Sequence, residues 1–79
     1  MNEKLLKELR NLKGIELIDI AKRAKYTFDK YYKIQSYWID GKKKVLQLEL
    51  KNKQKAEIKF RKIKNKNEIR VIDCIIKEH

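Results

Sequence analysis

The spacing of apolar residues changes partway through this 79-residue chain, and that change constrains its fold more than any other feature. In residues 2–13 leucines recur at the spacing of one helical face, and Asn2 is a residue type that commonly caps a helix. A second helix-spaced stripe covers residues 16–28. Gly14, between the stripes, favours the left-handed conformation that ends many helices. The first third of the chain therefore predicts two helices or one kinked helix.

From residue 31 onward apolar and polar residues alternate, which is typical of β-strands with one buried and one solvated face. The alternating segments cover residues 31–39, 46–50 and 56–60, and a last strand is expected over residues 68–77. Asp40-Gly41 is a strong hairpin signal between the first two segments. Further turns are expected near residues 51–53 and 65–67, so the pattern predicts four antiparallel strands in sequential order.

Strand registers follow from the need to keep one face apolar. A three-residue loop ending at Gly41 would place Ile34 opposite Leu46, with Gly41 in the left-handed bulge position. The second turn would place Glu49 opposite Lys55, a favourable cross-strand pair.

These patterns predict an α+β fold, with one or two N-terminal helices packed on a four-stranded antiparallel β-meander, and residues 1–79 as one small domain. The expected core residues are Leu5, Leu9, Leu12, Leu17, Ile20, Ala24, Ile34, Trp38, Leu46, Leu48, Leu50, Ile58 and Phe60. The last strand, residues 68–77, is apolar on both faces. Such a strand favours a homodimer that hides this surface.

The chain carries 22 Lys and Arg against 11 Asp and Glu, a formal net charge of +11. The excess is densest in residues 51–66, where Glu57 is the one acidic residue. A field of this sign attracts polyanions, and nucleic acid, DNA or RNA, is the expected partner. The predicted phosphate-binding residues are Lys53, Lys55, Lys59, Arg61, Lys64 and Lys66. Because most of them are lysines, which lack the planar fork that reads guanine, backbone contact is favoured over base readout.

The same charge suits a different class of function. A protein–protein module, such as an inhibitor or immunity-type factor, would place this basic strip on an acidic partner. Salt-sensitive binding to random DNA or RNA separates the two classes, since only the first predicts it.

Catalysis, metals and membranes are not expected. The carboxylates form no visible acid–base pair, and His79 lies at the chain end. Cys74 is expected to be a buried small hydrophobe, and one cysteine with one histidine predicts no zinc site and no cofactor. A single cysteine also favours a reducing, cytoplasmic location. No apolar run exceeds three residues, which excludes a transmembrane helix and a signal-peptide core.

Two short segments resemble known families. Residues 18–24 resemble the first helix of the helix-turn-helix of bacterial repressors, although Lys25 stands where that family usually has glycine. This resemblance implies a recognition helix over residues 27–34 and a winged-helix fold with hairpin 44–62 as the wing.

The second resemblance is to the RelE-type messenger-RNA-cleaving toxins. Phe60-Arg61 followed by Glu68-Ile69-Arg70-Val71 is similar to their last hairpin, whereas their strand before the helices is missing here. This resemblance implies a ribonuclease on an antiparallel sheet.

Overall fold

Two helices form where the helical apolar spacing predicts them. In the computed structural model, which describes residues 2–77, α1 spans Glu3–Asn11 and α2 spans Leu17–Asp29. Asn2 caps α1 as expected: its side-chain oxygen accepts the backbone N–H groups of Lys4 at 2.8 Å and Leu5 at 3.3 Å. These two bonds satisfy donors that a helix start otherwise leaves unpaired.

The rest of the described chain forms one antiparallel sheet. Its strands are β1 (Lys13–Gly14), β2 (Ile34–Asp40), β3 (Val45–Leu50), β4 (Lys55–Ile63) and β5 (Glu68–Lys77). Their spatial order is β1-β5-β4-β3-β2. The α+β class is thus confirmed. The predicted meander corresponds to β2 through β5, but the sheet has a fifth strand that the pattern did not predict.

That fifth strand occupies the link between the helices, and it corrects the role predicted for Gly14. Lys13 and Gly14 pair with Arg70 and Ile69, and no glycine among residues 2–77 has a positive φ. A Cβ atom at position 14 would lie 3.4 Å from the Cβ of Ile20. Such a Cβ would be in ordinary van der Waals contact with α2, and Gly14 does not end a helix in the left-handed conformation.

The first hairpin has a longer turn and another register than predicted. Asp40 pairs with Val45 across a four-residue turn, and Ile34 lies opposite Leu50 instead of Leu46. The side chain of Asp40 accepts the N–H groups of residues 42 and 43, both at 3.1 Å, which stabilises this turn. The turn residue with positive φ is Lys44 (54°), not Gly41.

A bulge in β2 decides which of its side chains face the core. The register shifts between Ile34 and Ser36, so the parity of the core-facing residues changes there. Ile39, opposite Leu46, packs against the core, whereas Trp38 is 51% exposed. The prediction that Trp38 is a core residue was wrong for this reason.

A second bulge explains why residues 68–77 are apolar on both faces. Phe60 pairs with Val71 and the preceding Lys59 pairs with Asp73, so Ile72 is an extra residue in β5. Val71 before the bulge and Cys74 after it are both buried in the core. The core-facing side of the strand changes at Ile72, which is itself 41% exposed.

Most of the other predicted core positions are confirmed. The buried ones are Leu5, Leu9, Ile20, Ala24, Leu46, Leu48, Leu50, Ile58 and Phe60. Leu12, Leu17 and Ile34 are partly buried against this core. The core also contains Ala21, Phe28, Ala56, Ile69 and Val71, and Cys74 is buried as expected. The expected Glu49–Lys55 pairing is also confirmed, and the third turn covers residues 64–67.

The winged-helix expectation was wrong. Residues 27–29 complete α2, and Ile34 already begins β2, so the chain forms no recognition helix over residues 27–34. The side chain of Asp29 accepts the N–H of Ile34 at 3.0 Å and stabilises the tight connection between helix and strand. Neither α1 nor α2 is long and apolar enough to cross a membrane.

Candidate functional site

The order of the hairpins brings two turns of the sheet to one end. Because β2 to β5 run antiparallel in sequence, the turns at residues 41–44 and 64–67 lie at the same end, and the turn at 51–54 lies at the other. At that other end, the N–H of Lys51 donates to the carbonyl of Lys33 at 3.0 Å.

Unequal strand lengths create a groove at the first end. β3 begins at Val45, opposite Lys59, whereas β4 continues to Ile63 paired with β5. The β4–β5 hairpin therefore extends past the 41–44 turn, to which it is joined by the N–H of Phe60 donating to the carbonyl of Lys44 at 2.9 Å. The result is an open groove of about 580 Å³ between turn and hairpin.

Cations dominate this groove. Its lining consists of Lys43, Lys44, Phe60, Arg61, Lys62 and Lys64. Five of the six are positively charged, and the lining includes no carboxylate from residues 2–77. We call the wider cluster the basic end; its members are Lys42, Lys43, Lys44, Arg61, Lys62, Lys64 and Lys66.

No ion pair within residues 2–77 neutralises the basic end. The three salt bridges in that part of the chain are Lys30–Glu8, Arg70–Glu68 and Lys77–Glu57. The carboxylate of Asp40 has a structural role beside the basic end, because it accepts two backbone N–H groups of the 41–44 turn. Concentrated positive charge without paired carboxylates repels itself and attracts anions.

The structure brings together only half of the predicted phosphate-binding residues. Arg61, Lys64 and Lys66 belong to the basic end. Lys53 and Lys55 lie at or beside the opposite turn, and Lys55 is in register with Glu49.

The remaining member of the predicted strip, Lys59, lies in the middle of the sheet. It pairs in register with Val45 on one side and Asp73 on the other. The predicted strip therefore extends along β4 from the 51–54 turn to the basic end, with Glu57 between Lys55 and Lys59.

Four members of the basic end were missed from the sequence, namely Lys42, Lys43, Lys44 and Lys62. The three turn lysines lie outside residues 51–66, where the charge is densest along the sequence, whereas Lys62 lies within that range. The available signal was the run of three lysines after Asp40-Gly41, since alternate turns of a meander lie at the same end.

Two carboxylates of the sheet have basic partners. Glu57 forms an ion pair with Lys77 at 2.9 Å, and Glu68 lies 3.4 Å from Arg70. Residues 2–77 hold no group of three or more His, Cys, Asp or Glu placed to bind a metal ion.

Cys74 is the one residue here that could serve as a thiol nucleophile, and His79 is the residue that could serve as a base. Cys74 is buried, and this burial, with a smaller contribution from Asp73, raises the pKa of its thiol to about 12. A thiol with so high a pKa is protonated at neutral pH and is a poor nucleophile. His79 lies outside the described residues.

The aromatic residues divide into packed and exposed groups. Tyr31 is partly buried, and its hydroxyl donates to the carboxylate of Glu8. The ring of Tyr37 lies 4.7 Å from the Nζ atom of Lys25. Trp38 on β2 is about half exposed, and within residues 2–77 its side chain forms neither a hydrogen bond nor a cation–π contact.

Comparison of this chain with protein-family models, curated proteins and solved structures found no match.

Proposed function

We propose that this chain is a small, non-catalytic nucleic-acid-binding protein whose basic end contacts phosphates. The observation that carries the proposal is the groove lined by five cationic residues and by no carboxylate from residues 2–77. Phosphate oxygens are strong acceptors for lysine and arginine, and phosphate contacts supply most of the affinity of sequence-independent binding.

The shape of the basic end favours a polymer over a small anion. Its cations come from two hairpins and border an open groove, so they are spread over a surface. A single phosphate would contact only a few of them, whereas a nucleic-acid backbone supplies a charge at each nucleotide. Only Arg61 carries a guanidinium group, so the contacts favour backbone binding without sequence preference.

The proposal also includes the location and assembly expected from the sequence. A cytoplasmic protein would meet nucleic acid directly. A homodimer through β5 would use Ile72 and Ile75, which are 41% and 38% exposed. A sedimentation mass near the 9.6 kDa of one chain at high micromolar concentration would contradict the dimer.

Salt-dependent fluorescence anisotropy with labelled random-sequence oligonucleotides tests the proposal. If about five phosphates are neutralised, log affinity should fall with log salt concentration at a slope of about −3.5 on single strands and about −4.5 on duplex DNA. Poly-L-glutamate serves as the competitor that an acidic-protein site would prefer. Binding that is absent at low salt, or displaced more readily by poly-L-glutamate than by unlabelled nucleic acid, would contradict the proposal.

A further inference from the structure

Trp38 occupies the solvent-facing side of the sheet near the basic end. It pairs in register with Gln47, whose other neighbour is Glu57, and it belongs to edge strand β2. About half of its surface is exposed (51%), so the indole is not a core side chain. A large aromatic ring in this position has a face available for another planar group.

The position of Trp38 in β2 places it close to the cations. It precedes Asp40 by two residues, which on a strand is about 7 Å, and Asp40 caps the turn that carries three lysines. In the neighbouring row of the same sheet face, Asp40, Val45 and Lys59 lie side by side. From strand spacings, the Cα atoms of Trp38 and Lys59 are roughly 12 Å apart, and Arg61 of the basic end follows Lys59 by two residues on β4. These distances correspond to a few nucleotides of an extended strand.

We propose that Trp38 stacks on an unpaired base of a single-stranded nucleic acid whose phosphates lie along the basic end. This inference rests on the proposed function and adds the class of ligand. In a duplex, the base faces are stacked on each other and cannot reach an indole on an open sheet, whereas a single strand exposes them. The combination of a cationic groove with an exposed aromatic ring is the arrangement that single-strand binding requires.

Trp38 is the one tryptophan of the chain, so its fluorescence reports directly on this site. The probes are an oligo-dT and an oligo-U of about a dozen nucleotides and a DNA duplex of the same length. We expect both single strands to quench the emission on binding and the duplex to leave it nearly unchanged.

Substitution then separates stacking from phosphate contact. Since stacking contributes about 1–3 kcal/mol per base, Trp38→Ala should weaken single-strand binding about fivefold or more, with the salt slope unchanged. Trp38→Phe should recover part of this loss. Tyr26→Ala is the matched control, because Tyr26 is an exposed aromatic residue (73%) on α2, and it should have no effect.

The outcomes distinguish this inference from the proposed function. Salt-sensitive binding without quenching, and with wild-type affinity in Trp38→Ala, would overturn the stacking and leave the basic end as the binding site. Absence of binding to every probe would overturn both. Equal quenching by duplex and single strand would overturn the preference for single strands.

Discussion

Single residues with a left-handed backbone shape the turns of this sheet. Among residues 2–77, Lys44, Lys53 and Asn67 have positive φ values of 54°, 73° and 49°, one in each hairpin turn. For most residues this conformation costs roughly 1–2 kcal/mol. Glycine adopts it without strain, and asparagine adopts it more easily than other residues. The two lysines therefore hold their turns at a cost in stability.

Lys53→Gly should stabilise the protein. Glycine removes the strain at φ 73° but adds freedom to the unfolded chain, so we expect the free energy of unfolding to rise by about 0.5–1 kcal/mol. Urea denaturation followed by circular dichroism measures this change. Lys51→Gly, in the same turn but without a positive φ, is the control and should give no gain. An equal gain in both variants would contradict the strain.

A second residue-scale contact joins α1 to the segment that follows α2 and gives a pH dependence. The hydroxyl of Tyr31 donates to Glu8, whose carboxylate also lies 2.9 Å from Nζ of Lys30. These contacts hold the pKa of Glu8 below its ordinary value, with Tyr31 the larger cause. The stabilisation is therefore present above the ordinary glutamate pKa and is lost as pH falls through the lowered value.

Tyr31→Phe should remove most of this effect. The pKa of Glu8 should rise toward its ordinary value, which a carboxyl-detected NMR titration measures directly. The melting temperature should fall at neutral pH, and the difference from the wild type should shrink in acid. Tyr26→Phe is the control: it removes an exposed hydroxyl and should change neither the pKa of Glu8 nor the melting temperature. An unchanged Glu8 pKa in Tyr31→Phe would contradict the contact.

At the scale of elements, the bulge in β5 decides the orientation of a whole strand. Ile69 on one side of it is 6% exposed, whereas Ile72 at the bulge is 41% exposed, although both are isoleucines in one strand. Their truncation therefore compares buried and exposed positions in otherwise similar surroundings.

Ile69→Ala should lower the free energy of unfolding by about 2–4 kcal/mol, because it removes buried methyl groups and leaves a cavity. Ile72→Ala should cost less than about 1 kcal/mol, since the side chain is already partly solvated. Chemical denaturation of both variants tests the assignment. Equal losses, or a larger loss at Ile72, would show that the strand continues without the bulge.

The change of apolar period was enough to predict a helical first third, as two helices or one kinked helix, and the four long strands, since 3.6-residue and two-residue spacings are distinct. The bulges were not predictable, because a single unpaired residue leaves the composition of a strand unchanged. They account for the wrong placement of Trp38 and for the two apolar faces of β5. β1 has only two residues and carries no periodic signal.

At the scale of the whole molecule, the sheet concentrates charge in a way that a linear count does not show. Half of the predicted binding residues, Arg61, Lys64 and Lys66, lie at the basic end, and the first turn supplies three lysines from a distant part of the sequence. The net charge could therefore be read from the sequence, whereas the location of the excess cations depended on which turns of the meander share an end.

Two triple variants separate the effect of cation position on nucleic-acid binding from the effect of net charge. Lys43→Gln/Lys62→Gln/Lys64→Gln neutralises the groove, and Lys51→Gln/Lys53→Gln/Lys55→Gln neutralises the opposite turn. Each lowers the formal net charge from +11 to +8. A protein attracted to nucleic acid by total charge alone would treat them alike.

The decisive measurement is the salt dependence of single-strand binding by these two variants and the wild type. We predict that the groove variant loses about 2 from the magnitude of the slope, as expected for three lost phosphate contacts at about 0.7 each, and binds at least tenfold more weakly at 0.1 M salt. The opposite-turn variant should keep the wild-type slope and an affinity within about threefold of it, because its lysines lie far from the bound phosphates. Equal losses in the two variants, or a larger loss from the opposite turn, would contradict a nucleic-acid site at the basic end.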